Sequence, residues 1–548
     1  MERVNRRVIL IINVILFGLI SILFYSLVYP FHLYYQEQIQ LFQFTSAYWK
    51  EYIIHPGGFI GYLGAFVTQF YYFPRLGGVI VSLLLVLLFI LTYRVARLLK
   101  LGNLSSVFLS WFVGFLFLLL HASPLYKTAC TLAVLLSLAL LCLYFSIHSY
   151  SLRYVFGGVV CLVLNPLIGG AYLIFVFCCV LFEAFVKKER HYLAVAFAYV
   201  AIGLTVPVFN RYTLYTASVR NSYLSDFYYE IPEWPDLDYR SIINFDQQRI
   251  FRQIYYANNG EWELILEDAK QHPPVNKWQL SYVNLALAKT GRIASDLFLF
   301  EQFNEHLFCL ETKDVISCQI SSDVYWHIGY QNYSRMAAFM GTQMNKRPEH
   351  AALLYRLAEI EVLNSNFKLA DKYISIFENT LFYKQKARAL HLMMEDKESS
   401  EYVDKRKFIP STDKFSVINS SMFVTQLNHL LEDNPQNKNA LEVLLSVYFI
   451  KRDMESLLAC LKYIDGMKYD PLPPLYQQCL LILLSVGNES IEQEYSKYSF
   501  DISKSITDDF KELNSLLFWL SQNDPDAQRK INEKYKSSFW LYFLSVAK

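Results

Sequence analysis

The chain has 548 residues, of which 54% are hydrophobic, 17% aromatic and only 18% charged. Soluble proteins of this size carry about a quarter charged residues, so part of this chain must live in lipid. A formal net charge of +1, with no basic patch and no acidic tail, excludes a nucleic-acid binder that works by neutralising phosphates.

Apolar runs of spanning length lie at about 8–29, 77–93, 104–121, 128–147, 154–169, 171–186 and 191–208. The first, Val8 to Tyr29, is too long for a cleaved leader and lacks a small-residue cleavage site, so it reads as a retained signal anchor. The two short runs at 154–169 and 171–186 meet at Asn165-Pro166-Leu167-Ile168-Gly169-Gly170, a turn signal that predicts a helical hairpin. Almost no charge is expected inside the spans. Arg3, Arg6, Arg7, Arg94, Arg97, Lys100, Arg153, Lys187, Lys188 and Arg190 all fall on one side of such a bundle, against Lys50, Arg75 and Lys127 on the other. The positive-inside rule then makes the N-terminus cytoplasmic, and an odd number of spans puts the chain after about 209 outside the cytoplasm. The expected location is the inner (cytoplasmic) membrane, crossed several times, with lipids as the first partners.

Between the first two spans, residues 31–75 carry two amphipathic helical patterns, at about 36–53 and 57–73, predicted to lie on the outer leaflet. Making 57–73 an eighth span would reverse the sidedness of everything downstream and scatter the basic residues.

Past Asn210 the apolar runs shorten. A segment at 210–240, with Pro232, Pro235 and several acids, is expected to link to an all-α repeat domain at 241–548. Helix pairs are predicted at Trp278–Leu299, Ala351–Phe377 and Asn437–Ile464, with an earlier turn at Asn259-Gly260. Small residues at the crossing points resemble degenerate tetratricopeptide repeats, which stack to offer a concave face to a partner such as another envelope protein. Of the nine cysteines, Cys130, Cys142, Cys161, Cys178 and Cys179 fall in apolar spans. Cys309 and Cys318 are either a disulfide across a short loop or two buried thiols.

No phosphate-cradling loop, zinc-protease pattern or nucleophile elbow is present. The informative stretch is Tyr34-Tyr35-Gln36-Glu37-Gln38, followed by His55-Pro56-Gly57-Gly58 and then Pro74-Arg75-Leu76. Their order resembles the conserved module of membrane-embedded glycosyltransferases that use polyprenyl-phosphate sugars, the so-called C fold. In that family one span leads to an Asp-Glu pair, two juxtamembrane helices joined by a His-Pro turn, and an Arg opening the second span. The resemblance covers about residues 1–210 and rests on order and spacing. It implies that Glu37 is the catalytic base toward an acceptor hydroxyl, with a divalent metal allowed, and that Gln36, His55, Arg75, His121 and Lys127 bind the lipid-phosphate sugar. The chain departs from the pattern at Gln36, which stands where the family has its acid and cannot accept a proton. The whole chain also resembles an uncharacterised bacterial family with this membrane-plus-repeat layout. The alternative is a membrane-anchored scaffold without catalysis, which needs no cavity around Glu37. A transporter is disfavoured, since the spans show no doubled repeat.

Overall fold

The computed structural model describes residues 2–187, 191–214, 218–224, 243–303, 306–344, 350–407, 409–410, 418–486, 489–522 and 525–544. The described chain is all helical, without a β-strand. Among the described residues six helices are long and apolar enough to cross a membrane: Arg7–Val28, Pro74–Leu98, Asn103–His121, Thr128–Ser146, Tyr150–Lys187 and Tyr192–Thr213. The chain forms two compact units, Met1–Arg252 with Ser375–Ala387, and Gln253–Ile374 with Arg388–Lys548. The first therefore takes in a short stretch from deep within the C-terminal half of the sequence. The predicted 210–240 linker lies largely outside the described residues.

In the first unit, α1 (Glu2–Leu23) precedes three short helices, α2 (Phe31–Gln38), α3 (Ser46–Ile53) and α4 (Gly58–Thr68). Long helices α5 (Pro74–Leu98), α6 (Asn103–His121) and α7 (Thr128–Ser146) follow. The continuous helix expected at 36–53 is instead broken between α2 and α3. Thr45 restarts it, its hydroxyl accepting from the Tyr48 amide at 3.1 Å. The second pattern forms α4, which makes a close contact within the bundle. α4 packs on the start of α7 so closely that a Cβ on Gly64 would stand 2.6 Å from the Ala129 Cβ.

The Tyr150–Lys187 stretch is not one rod. α8 (Tyr150–Ile168) ends at Gly169, whose φ of +61° suits glycine, and α9 (Tyr172–Leu181) returns alongside it. The reversal is visible in one contact. Arg153, near the start of α8, meets Glu183, just past α9, at 2.7 Å, both side chains fully buried. The hairpin predicted from Asn165–Gly170 is thus formed. Two corrections follow: a charge pair is buried within the spanning helices, and Arg153 is not a loop cation available to orient the bundle. Gly57 (φ +75°), in the turn before α4, docks on this reversal, its amide donating to the Pro166 carbonyl at 3.0 Å. Two turn signals far apart in sequence therefore hold each other. α10 (Tyr192–Thr213) closes the bundle, its Asn210 donating to Asn165 at 3.0 Å.

The second unit is built from short helices. The pair α18 (Ala351–Leu363) and α19 (Phe367–Glu378), whose last residues enter the first unit, turns where predicted. In α14 (Lys277–Lys289) and α15 (Ile293–Asp296) the second member is a single turn. After α23 (Lys438–Lys451) the returning helix breaks into Met454–Ala459 and Leu461–Gly466. A further pair, α16 (Val315–Ile328) and α17 (Gln331–Met344), has local signals that the repeat pattern passed over: an Asp314 capping box and Gly329 at φ +92°. Cys309 and Cys318 are both buried and not joined to each other, so the disulfide does not form.

Candidate functional site

Glu37 sits on α2, a helix of eight residues whose positions His32 to Gln38 are all buried. A helix this short is not stable alone, so its surroundings must hold it. On one side Gln36 donates through Nε2 to the carbonyls of Ser123 (3.0 Å) and Tyr126 (3.1 Å), in the loop between α6 and α7. His32 pairs through Nε2 with the His121 carbonyl at 2.8 Å, and its own amide donates to Gln248 Oε1 at 3.0 Å. His121 in turn pairs through Nε2 with Thr131 Oγ1 at 2.7 Å. Burial pushes the His32 imidazole down to about 3, so it is neutral at any physiological pH.

The Glu37 carboxyl is 2% exposed. Its Oε2 accepts from Gln38 Nε2 at 2.8 Å and from the Tyr383 hydroxyl at 2.7 Å. Tyr383 belongs to the stretch Ser375–Ala387 that forms part of this unit, between α19 and α20 (Lys384–Glu395). That stretch is well seated. The Phe44 amide donates to the Asn379 carbonyl at 2.7 Å, and Phe382 stacks on Tyr72 with centroids 5.4 Å apart. Desolvation pushes the Glu37 carboxyl up to about 8, more than the hydrogen bonds from Tyr383 and Gln38 and the attraction of Lys386 pull it down. The Tyr383 phenol is driven well above its ordinary value by burial and by Glu37 beside it, so it remains a donor.

The structure thus gathers Glu37, Gln36 and His121 around one buried helix, whereas His55, Arg75 and Lys127 are exposed. The His55 side chain is exposed, and its backbone closes the α3–α4 turn by accepting from the Gly58 amide at 2.9 Å. Arg75 is exposed in the first turn of α5. Lys127 is exposed at the N-cap of α7. Glu37 is therefore not a solvated interfacial residue. Sequence reasoning missed Tyr383, which lies 346 positions from Glu37 and carries no local signal. It also missed His32 and Gln38. Among the described residues no group of three or more His, Cys, Asp or Glu side chains is placed to hold a metal ion. The divalent metal that the resemblance allows therefore finds no cage here.

A model for a family of unknown function, DUF6057, matches residues 6–545. The chain belongs to DUF6057. No curated protein and no solved structure matches it. The DUF6057 match runs through both units, so the membrane bundle and the helical array are one family feature.

Proposed function

We propose that this DUF6057 protein is a membrane-embedded transferase whose Glu37 takes the proton from an acceptor hydroxyl while a sugar leaves a polyprenyl phosphate. One observation carries the reading: a carboxyl pushed up to about 8 already accepts from a hydroxyl, that of Tyr383, at 2.7 Å. A base poised near the working pH suits proton abstraction, and the phenol occupies the place an acceptor hydroxyl would take. The acceptor must then displace Tyr383 to reach the carboxylate. The order of elements, one span, the acid, two short helices and an Arg at the head of the next span, supports the same reading.

The test is transfer from a polyprenyl-phosphate sugar in membranes that carry the protein. Glu37→Gln should lower the rate at least about 100-fold, the usual scale for losing a general base. Transfer equal to wild type in that variant sinks the proposal.

A second reading, an anchored scaffold, is favoured by a different observation. Arg75, His55 and Lys127 stand exposed, whereas Glu37 is buried. Meanwhile α16, α18 and the helix Ser400–Arg406 are tied together by charges inside the array: Arg356 bonds Asp323 at 3.1 Å and Glu359 at 2.8 Å, and Lys405 reaches Glu359 at 3.0 Å. A helical array braced in this way can serve as a rigid support without any catalytic site.

A further inference from the structure

The second unit holds a cavity of about 440 Å³ between the start of α15, the first turns of α23 and the loop from Met467 to Pro474. This volume lies within the range of small-molecule sites, roughly 300–1,000 Å³. The walls carry Lys438, Lys468, Glu442 and Asp470, two cations and two anions. Glu442 is 5% exposed, and its carboxylate faces the Lys438 ammonium at 3.6 Å across one turn of α23. Burial raises the Glu442 carboxyl above its ordinary value, with Lys438 opposing the shift.

The pairing of charges decides what fits. A ligand with net charge would gain from one member of the Lys438–Glu442 pair and be repelled by the other. A neutral ligand rich in hydroxyls can donate to Glu442 and accept from Lys438 at once, leaving the pair intact. Ser295 adds a hydroxyl to the wall, Tyr469 a phenol and a ring whose centroid lies 5.4 Å from the Lys438 ammonium, and Pro471 and Pro473 apolar surfaces without donors. Alternating hydroxyls and C–H faces match such a lining.

We infer that this cavity is a binding site for a neutral saccharide, recognised by the paired Lys438 and Glu442 beside the Tyr469 ring. The inference does not require that Glu37 be a base, and its test does not depend on transfer.

The full-length protein in lipid nanodiscs is titrated with cellobiose, mannobiose and N,N′-diacetylchitobiose, using saturation-transfer NMR and calorimetry. At least one should bind with a Kd of about 1 mM or tighter, a weak interaction of about 4 kcal/mol. Glu442→Gln should weaken that binding about tenfold. Lys438→Met, a change at the exposed rim that spares the fold, should weaken it several-fold. Glu37→Gln should leave it unchanged, which separates this site from the transferase centre. Absence of binding by all three sugars at about 10 mM overturns the inference. So does binding that both cavity variants retain at wild-type strength.

Discussion

Glu37 couples protonation to stability. Its carboxyl ionises near 4.5 when exposed and is raised to about 8 in the folded protein. Between those values the folded state binds more protons than the unfolded, so the group's contribution is full below about 4.5 and is lost as pH rises through 8. At pH 9 the folded protein must hold a desolvated carboxylate, whereas glutamine at the same position carries no such penalty. Glu37→Gln should therefore raise the thermal midpoint in detergent more at pH 9 than at pH 6. Equal shifts at the two pH values would mean that Glu37 is ionised without penalty, and the base assignment would lose its support. Residues of this kind are only partly legible in the sequence. Glu37 could be singled out because it stands just after a span. Its burial could not, because that depends on Gln38 beside it and on Tyr383, brought in from a distant turn.

At the scale of elements, the bundle depends on reversals more than on apolar length. Hydrophobic runs locate the long helices because lipid demands about 20 apolar residues for a crossing. The break at 39–45 escapes such reading, because no Pro or Gly marks it and tertiary packing holds α2. The α8–α9 hairpin was legible from its turn, and its ion pair could have been. Arg153 and Glu183 lie equally far in sequence from Ile168, so a reversal there sets them face to face. The pair is bidentate, with a second bond from Arg153 Nη2 to Glu183 Oε2 at 3.2 Å, and the Tyr144 hydroxyl donates to the same carboxylate at 2.8 Å. Removing one partner strands the other without solvent, at a cost of about 3–5 kcal/mol. Glu183→Ala and Arg153→Ala should each lower the denaturation midpoint in mixed micelles. Arg153→Leu combined with Glu183→Leu should cost less than either single change, because no buried charge is left alone. Two singles within about 1 kcal/mol of wild type would show that the pair is hydrated and not part of the hairpin's hold.

For the molecule as a whole, the prediction about sidedness turns on the hairpin. If α8 and α9 cross separately there are seven crossings, and the expected outcome is then a helical array on the side opposite the N-terminus. The basic residues that argue for a cytoplasmic N-terminus must be counted without Arg153, whose guanidinium is spent on Glu183. Arg94, Arg97 and Lys100 still flank the loop between α5 and α6, so the asymmetry survives the loss. If the hairpin were a single tilted rod instead, the count would fall to six and the array would face the cytoplasm, where an acceptor outside the cell could not reach it. Impermeant thiol labelling of intact cells, on single-cysteine variants made in a cysteine-free background, separates the two arrangements. A cysteine at Ser149, between α7 and α8, should stay unlabelled until the cells are opened. A cysteine at Asn434, in the array, should react from outside. The reverse pattern at Asn434 would return the array to the cytoplasm and end the case for transfer to an extracytoplasmic acceptor, whatever Glu37 does.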